Sequence, residues 1–200
     1  MNPKEIYERA LKSGARIEGY ESVVGQDAEY SLLYAKNVCK GPFVAGEKII
    51  MNHPFIAYRY CKEVINRRWY AAEEAIKKDC RSSCCYAKDL IKGRWHEAEK
   101  IIAKAPDWAT VYAEDVLKSR FVDAEAAIAR NDNAALNYYH FVIKGDWRGW
   151  SDKQIMRSDV WMYQFAKSLG CMLPKELHEQ MILRNPKREY VARYTEEFCR

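Results

Sequence analysis

Two hundred residues, 48% of them hydrophobic and 30% charged, give one domain or two small ones with a sizeable core, and exclude a disordered chain. Fourteen tyrosines and six tryptophans against nine glycines and six prolines disfavour a turn-rich β-sandwich and suit helices joined by short turns. The 33 basic and 28 acidic side chains leave a formal charge of +5, which is compatible with a nucleic-acid partner but does not establish one. No apolar run is long enough for a transmembrane helix, so no membrane association is expected. Met1-Asn2-Pro3-Lys4-Glu5 lacks the apolar stretch of a signal peptide, and seven cysteines leave at least one unpaired, which suits a reducing cytoplasm.

In chain order, the first 26 residues read as a degenerate unit. Ile17, Glu21 and Val24 take a second-helix register, whereas Tyr7 and Leu11 sit one residue off the first-helix register, as a shortened turn would produce. From there a pattern recurs every 26 residues. Tyr34-Ala35, Tyr60-Cys61, Tyr86-Ala87, Tyr112-Ala113 and Tyr138-Tyr139 open the equivalent segments. Each is followed by an aromatic (Phe43, Trp69, Trp95, Phe121, Trp147), a small residue (Gly46, Ala72, Ala98, Ala124), a glutamate (Glu47, Glu73, Glu99, Glu125) and Ile50, Ile76, Ile102 or Ile128.

Tyr86, Ala87, Leu90 and Ile91 share one side at helical spacing, and Trp95, Ala98 and Ile102 form a second stripe, so each unit predicts two short helices joined by a turn at Lys92-Gly93 or Lys118-Ser119. Asp27, Asp79 and Asn131 are predicted N-caps; Pro54 and Pro106 mark the first helical position in units whose cap residues, His53 and Ala105, are weak. Helices this short need neighbours. The expected fold is all-α: two-helix tandem repeats stacked as an α-solenoid over residues 1–150, with an irregular helical cap over 151–200. The cap is predicted as helices around Asp159–Leu169 and Pro174–Leu183 and a last one after Pro186, with Tyr190, Val191 and Tyr194 facing inward.

The best copies, Tyr86–Ile102, Tyr112–Ile128 and Tyr60–Ile76, resemble a family of short tandem repeats found in bacteriophage proteins, of pattern Tyr-Ala-x-x-Val-Ile-x-x-Arg-Trp-x-x-Ala-Glu-x-x-Ile. Tyr34–Ile50 departs from it at Gly41-Pro42-Phe43 and Gly46, and the copy from Tyr138 departs at Asp146 and after Trp147. The resemblance covers roughly residues 7–150 and implies a phage origin and a helical-repeat fold; it carries over no catalytic residue or ligand.

The glutamates at 47, 73, 99 and 125 occupy one repeating position, which points to a structural pairing with Arg68, Arg94 and Arg120 or with a neighbouring turn rather than to acid–base chemistry. Lys36, Lys62 and Lys88 form one basic row, Lys40, Lys92, Lys118 and Lys144 another, and Glu63, Asp89, Glu114 and Asp115 lie close enough to neutralise parts of them. Cys39, Cys61 and Cys84 replace apolar residues in the repeat and read as core, since no second pair completes a metal site beside Cys80, Cys84 and Cys85. No histidine spacing or glycine-rich phosphate loop is present, so no enzyme activity, cofactor or metal is expected.

Function is expected to be non-enzymatic: a phage accessory protein in the host cytoplasm that binds, and inhibits or modulates, a host or phage protein. The candidate partner-binding residues are Lys92, Arg94, Lys118, Arg120, Lys144, Trp150 and Trp161. One alternative is a nucleic-acid-binding module using the Lys and Arg rows; another is a structural protein that associates with itself.

Overall fold

A computed structural model describes residues 1–143 and 159–199. Among these residues the chain is all-helical, with fourteen α-helices and no strand. Helices α1 (Pro3–Ser13) and α2 (Glu21–Val24) come first. Asn2 begins α1 with a capping box, in which its side chain accepts from the Glu5 N–H while the Glu5 carboxylate accepts from the Asn2 N–H. The first-helix expectation for this segment is off by one position. Ile6 and Ala10 are fully buried, whereas Leu11 is 52% exposed and Tyr7 is only half-buried.

Beyond α2 one pattern of lengths recurs. A seven-residue helix runs into a five-residue π-helical turn, and a second seven-residue helix follows. Helices α3 (Ala28–Tyr34) and α4 (Val44–Ile50) flank the turn Ala35–Cys39, and α5 (Pro54–Tyr60) and α6 (Tyr70–Ile76) flank Cys61–Ile65. Helices α7 (Cys80–Tyr86) and α8 (His96–Ile102) flank Ala87–Ile91, and α9 (Pro106–Tyr112) and α10 (Val122–Ile128) flank Ala113–Leu117. Helix α11 (Asp132–Tyr138) and the turn Tyr139–Ile143 close this region. Helix α5 packs against α3 and α7, and α9 against α7 and α11, so each first helix lies beside its counterparts.

The local signals explain the boundaries. Asp27, Asp79 and Asn131 accept hydrogen bonds from the N–H groups of Tyr30, Ser82 and Ala134. Helices α5 and α9 begin instead with Pro54 and Pro106, where a missing N–H leaves no bond unmade. At the other end, Lys40, Asn66, Lys92 and Lys118 adopt left-handed φ values of 51°, 48°, 58° and 51°. The N–H groups of Lys40, Lys92 and Lys118 bond the carbonyls of Ala35, Ala87 and Ala113, closing each π-helical turn. The residue that reverses the chain is therefore the lysine, and in the third of these turns not the adjacent Gly93, although glycine has the lower cost at such φ values.

Five tyrosines (34, 60, 86, 112 and 138) are fully buried. Four of them pack on the aromatic that follows in the chain, with ring centroids of Tyr34–Phe43, Tyr60–Trp69, Tyr86–Trp95 and Tyr112–Phe121 separated by 5.0, 5.3, 5.2 and 5.5 Å. Trp95, Phe43 and Phe121 are buried as expected, and Trp69 is half-buried. Gly46 marks the closest approach. A Cβ there would stand 2.5 Å from Ser31 Cβ and Oγ and 2.8 Å from a Phe43 ring carbon. Gly46→Ala restores the alanine of the other units, yet it is expected to lower the thermal midpoint, because overpacking at about 1–3 kcal/mol outweighs a helix-propensity gain of about 1 kcal/mol. A midpoint above that of the parent protein would contradict this.

The last helices are α12 (Asp159–Leu169), α13 (Lys175–Ile182) and α14 (Glu189–Phe198). They enclose Met162, Ala166, Leu177, Met181, Val191 and Tyr194. Tyr190 is only half-buried, and Leu183 is 77% exposed. Asp159, 4% exposed, is held by Arg188 at 2.9 Å and Arg184 at 3.7 Å. Tyr139 meets Phe165 edge-on at 5.1 Å, joining α12 to the helices before it. The boundary expected at residue 150 lies outside the described residues.

Candidate functional site: the inter-helix edge

The polar groups of each unit converge where the first helix turns into the second. The Trp95 N–H donates to the Tyr112 hydroxyl at 2.7 Å, and that hydroxyl donates to Glu99 at 3.2 Å. Arg94 grips the same carboxylate with Nε at 2.7 Å and a terminal nitrogen at 2.9 Å. The arrangement recurs as Trp69, Tyr86, Glu73 and Arg68, and as Phe121, Tyr138, Glu125 and Arg120. A reduced form joins the Ile17 N–H to Tyr34, with Arg16 on Glu21. Tyr60 likewise accepts from the Phe43 N–H and donates to Glu47, but Pro42 stands where the other units carry arginine. Each tyrosine thus satisfies a loop N–H seventeen residues earlier, a spacing that the aromatic and tyrosine rows of the sequence already contain.

Glu99 is a structural acceptor, and its acidity reflects this. Burial pushes its carboxyl up, but the Arg94 guanidinium and the Tyr112 hydroxyl outweigh burial and hold it below the ordinary glutamate range. The Tyr112 phenol is pushed up to about 12, first by burial and then by Glu99, against the Trp95 N–H. A hydroxyl held protonated in this way serves as a fixed donor, not as a base.

A second lattice ties neighbouring first helices together. Lys36 pairs with Glu63 at 2.8 Å, Lys62 with Asp89 at 2.8 Å and Lys88 with Asp115 at 2.7 Å. Arg59 joins Glu29 and Glu63, and the Tyr58 hydroxyl donates to Asp89 at 2.5 Å. Burial would raise the Glu63 and Asp89 carboxyls, but their cationic partners hold both below the usual values. A group lowered in the folded state stabilises fully above its unfolded pKa and ceases to do so as pH falls through the folded value. The urea midpoint is therefore expected to decline as pH falls below about 4.5, where glutamates of the unfolded chain begin to take up protons, and to go on declining until Glu63, Asp89 and Glu99 are protonated in the folded protein as well. A midpoint unchanged from pH 7 to pH 3 would mean that these pairs contribute nothing.

The candidate residues separate into two groups. Arg94 and Arg120 are engaged by Glu99 and Glu125 and do not offer free cations. Lys92 and Lys118 are exposed, and neither they, Lys40 nor Arg67 enters an ion pair within 4.0 Å among the described residues. Trp161 is half-buried on α12, while Lys144 and Trp150 lie outside the described residues.

A feature absent from the sequence reading stands on the same edge. Val44, Tyr70 and Val122 share one position at the start of the second helices and are 77%, 72% and 69% exposed. His96 fills that position in α8, with its side chain 71% exposed. The Arg68 guanidinium stacks over the Tyr70 ring at 4.7 Å. Cys61 and Cys84 are buried, and burial pushes both thiols up to about 12; Cys39, Cys80 and Cys85 are half-buried, and Cys171 and Cys199 are exposed. No group of three or more His, Cys, Asp or Glu side chains able to hold a metal occurs among the described residues. Comparison of the chain with family models, curated proteins and solved structures finds no match.

Proposed function

We propose that the chain is a non-enzymatic α-solenoid of 26-residue units that binds a protein partner along its inter-helix edge. The solenoid reading is supported by the recurring helix lengths, the side-by-side first helices and the tyrosine bonds that link consecutive units. The observation that carries the binding reading is the row Val44, Tyr70 and Val122, large apolar side chains left in solvent at one position of three units, with His96 at that position in a fourth. Folding gains little from them there. A nucleic-acid function has less support, because Lys36, Lys62, Lys88, Arg68, Arg94 and Arg120 already hold carboxylates.

By the phage-like character of the repeat, the partner is a host or phage protein and the activity is steric occupation in the host cytoplasm. Affinity capture from bacterial lysate treated with nuclease tests the reading. A stoichiometric protein retained after nuclease treatment is the expected result. Reproducible absence of any such protein overturns it, and loss of all captured material on nuclease treatment would favour the nucleic-acid alternative. A chain that recovers only its own copies would be a self-associating structural protein.

A further inference from the structure

We infer that the inter-helix edge takes an extended acidic segment of a partner, with an acidic residue at every third position and an aliphatic residue beside it. This deepens the protein-binding reading and rests on it.

The sign of the partner follows from which cations are free. Arg68, Arg94 and Arg120 and the row Lys36, Lys62 and Lys88 are held by carboxylates. Lys40, Arg67, Lys92 and Lys118, at the turns between first and second helices, are exposed and have no carboxylate within 4.0 Å among the described residues. Lysine is also not the residue that the backbone prefers there. The left-handed φ at Lys40, Lys92 and Lys118 favours glycine, so folding alone does not select the ammonium. Attraction to the carboxyl end of the preceding helix recovers part of that cost, and a bound carboxylate would use the same charge.

The spacing gives the partner's form. Packed helices stand about 8–10 Å apart, and three residues of extended polyproline-II chain, one full turn, cover about 9 Å and bring the same side round again. An extended segment laid across the units therefore meets one cation and one apolar side chain per three residues. Lys40, Asn66-Arg67, Lys92 and Lys118 supply the first row, and Val44, Tyr70, His96 and Val122 the second. Exposed Glu97 and Asp123 flank the later two units, where Ala45 and Ala71 flank the earlier two, so the acidic residues bind most strongly between Lys40 and Tyr70.

The test uses the full chain and a fluorescein-labelled peptide of about ten residues, built from Asp-Leu-Ser triplets, read by fluorescence anisotropy at low salt. A control peptide of the same composition gathers its aspartates at one end, and a thymidine oligonucleotide of equal charge serves as the competing polyanion. One variant combines Lys40→Gly, Arg67→Ala, Lys92→Gly and Lys118→Gly. The glycines suit the left-handed backbone, so this chain keeps its fold, as circular dichroism would verify. A second combines Val44→Ser, Tyr70→Ser and Val122→Ser at exposed positions. A third neutralises Lys78, Lys104 and Arg130, exposed at the ends of the second helices.

Expected are preference for the triplet peptide over the control, about tenfold weaker binding by the first variant, a measurable loss with the second and little change with the third. Equal binding of both peptides, or equal loss with the third variant, would reduce the effect to general charge attraction and overturn the proposal. Tighter binding of the oligonucleotide, lost in the first variant, would make the occupant a nucleic acid. Concentration-dependent self-association abolished by the same variant would make it a second copy of this chain. If the lysate partner is captured by the first variant as well as by the parent chain but lost with the second, this inference fails while the protein-binding reading stands; absence of any partner removes that reading itself.

Discussion

Trp95→Ala is expected to lower the unfolding free energy by about 3–5 kcal/mol, the largest loss from any single side chain considered. The indole is 3% exposed and lies 5.2 Å from the Tyr86 ring, so truncation leaves a cavity between two helices too short to stand alone. The Trp95 N–H belongs to the backbone and keeps its bond to Tyr112, which makes the variant a test of packing rather than of polar satisfaction. Urea denaturation should show a lower midpoint at an unchanged slope. Tyr70→Ala supplies the contrast. That ring is 72% exposed, and its loss is expected to change stability by less than about 0.5 kcal/mol. Similar losses from the two variants would contradict the assignment of Trp95 to the core and of Tyr70 to a free surface.

The second large effect is polar. Tyr112→Phe keeps the ring against Phe121 but removes one oxygen, which leaves the Trp95 N–H without its acceptor and Glu99 without one donor. Leaving a buried donor unsatisfied costs about 1–3 kcal/mol, more than the net value of an ordinary hydrogen bond. The bond joins the loop of one unit to the first helix of the next, so amide exchange should accelerate on both sides of the junction. Tyr112→Phe combined with Glu99→Gln should cost less than the sum of the two single changes, because both act on the same cluster. Additive losses would show that the hydroxyl serves the two partners independently.

Much of the architecture was legible in the sequence, for a local reason. Tyr, Ala, Ile and Trp at fixed intervals report which side of a helix faces inward, and the caps at Asp27, Asp79 and Asn131 and the prolines at 54 and 106 mark where the helices begin. The suggestion that Arg68, Arg94 and Arg120 meet the repeated glutamates also agrees with the structure. Helix α1 runs as an uninterrupted α-helix from Pro3 to Ser13, whereas the later first helices end in π-helical turns, so its buried register falls on Ile6 and Ala10 and not on Tyr7 and Leu11. The tyrosine hydroxyls are not legible in the sequence because a ring in an apolar stripe reads as core, and only the folded chain shows where its oxygen points.

The edge was the least legible part. Lys88 and Lys92 are four residues apart in one turn of text, yet Lys88 reaches Asp115 of the next unit while Lys92 meets no carboxylate among the described residues. Which cations remain free depends on pairs 27 residues apart, and these form only when consecutive first helices pack. Likewise, Val44, Tyr70 and Val122 resemble core residues in composition, and their exposure follows from standing at the open start of each second helix.

By themselves, length and composition determined a helical chain with an apolar core, and the 26-residue register determined which side chains build it, because helical periodicity is written into neighbouring residues. The tertiary structure decided how the +5 charge is spent. It holds Lys36, Lys62 and Lys88 against carboxylates 27 residues away and leaves Lys40, Arg67, Lys92 and Lys118 with none within 4.0 Å among the described residues, since these lysine pairs depend on distances in space that no local spacing records.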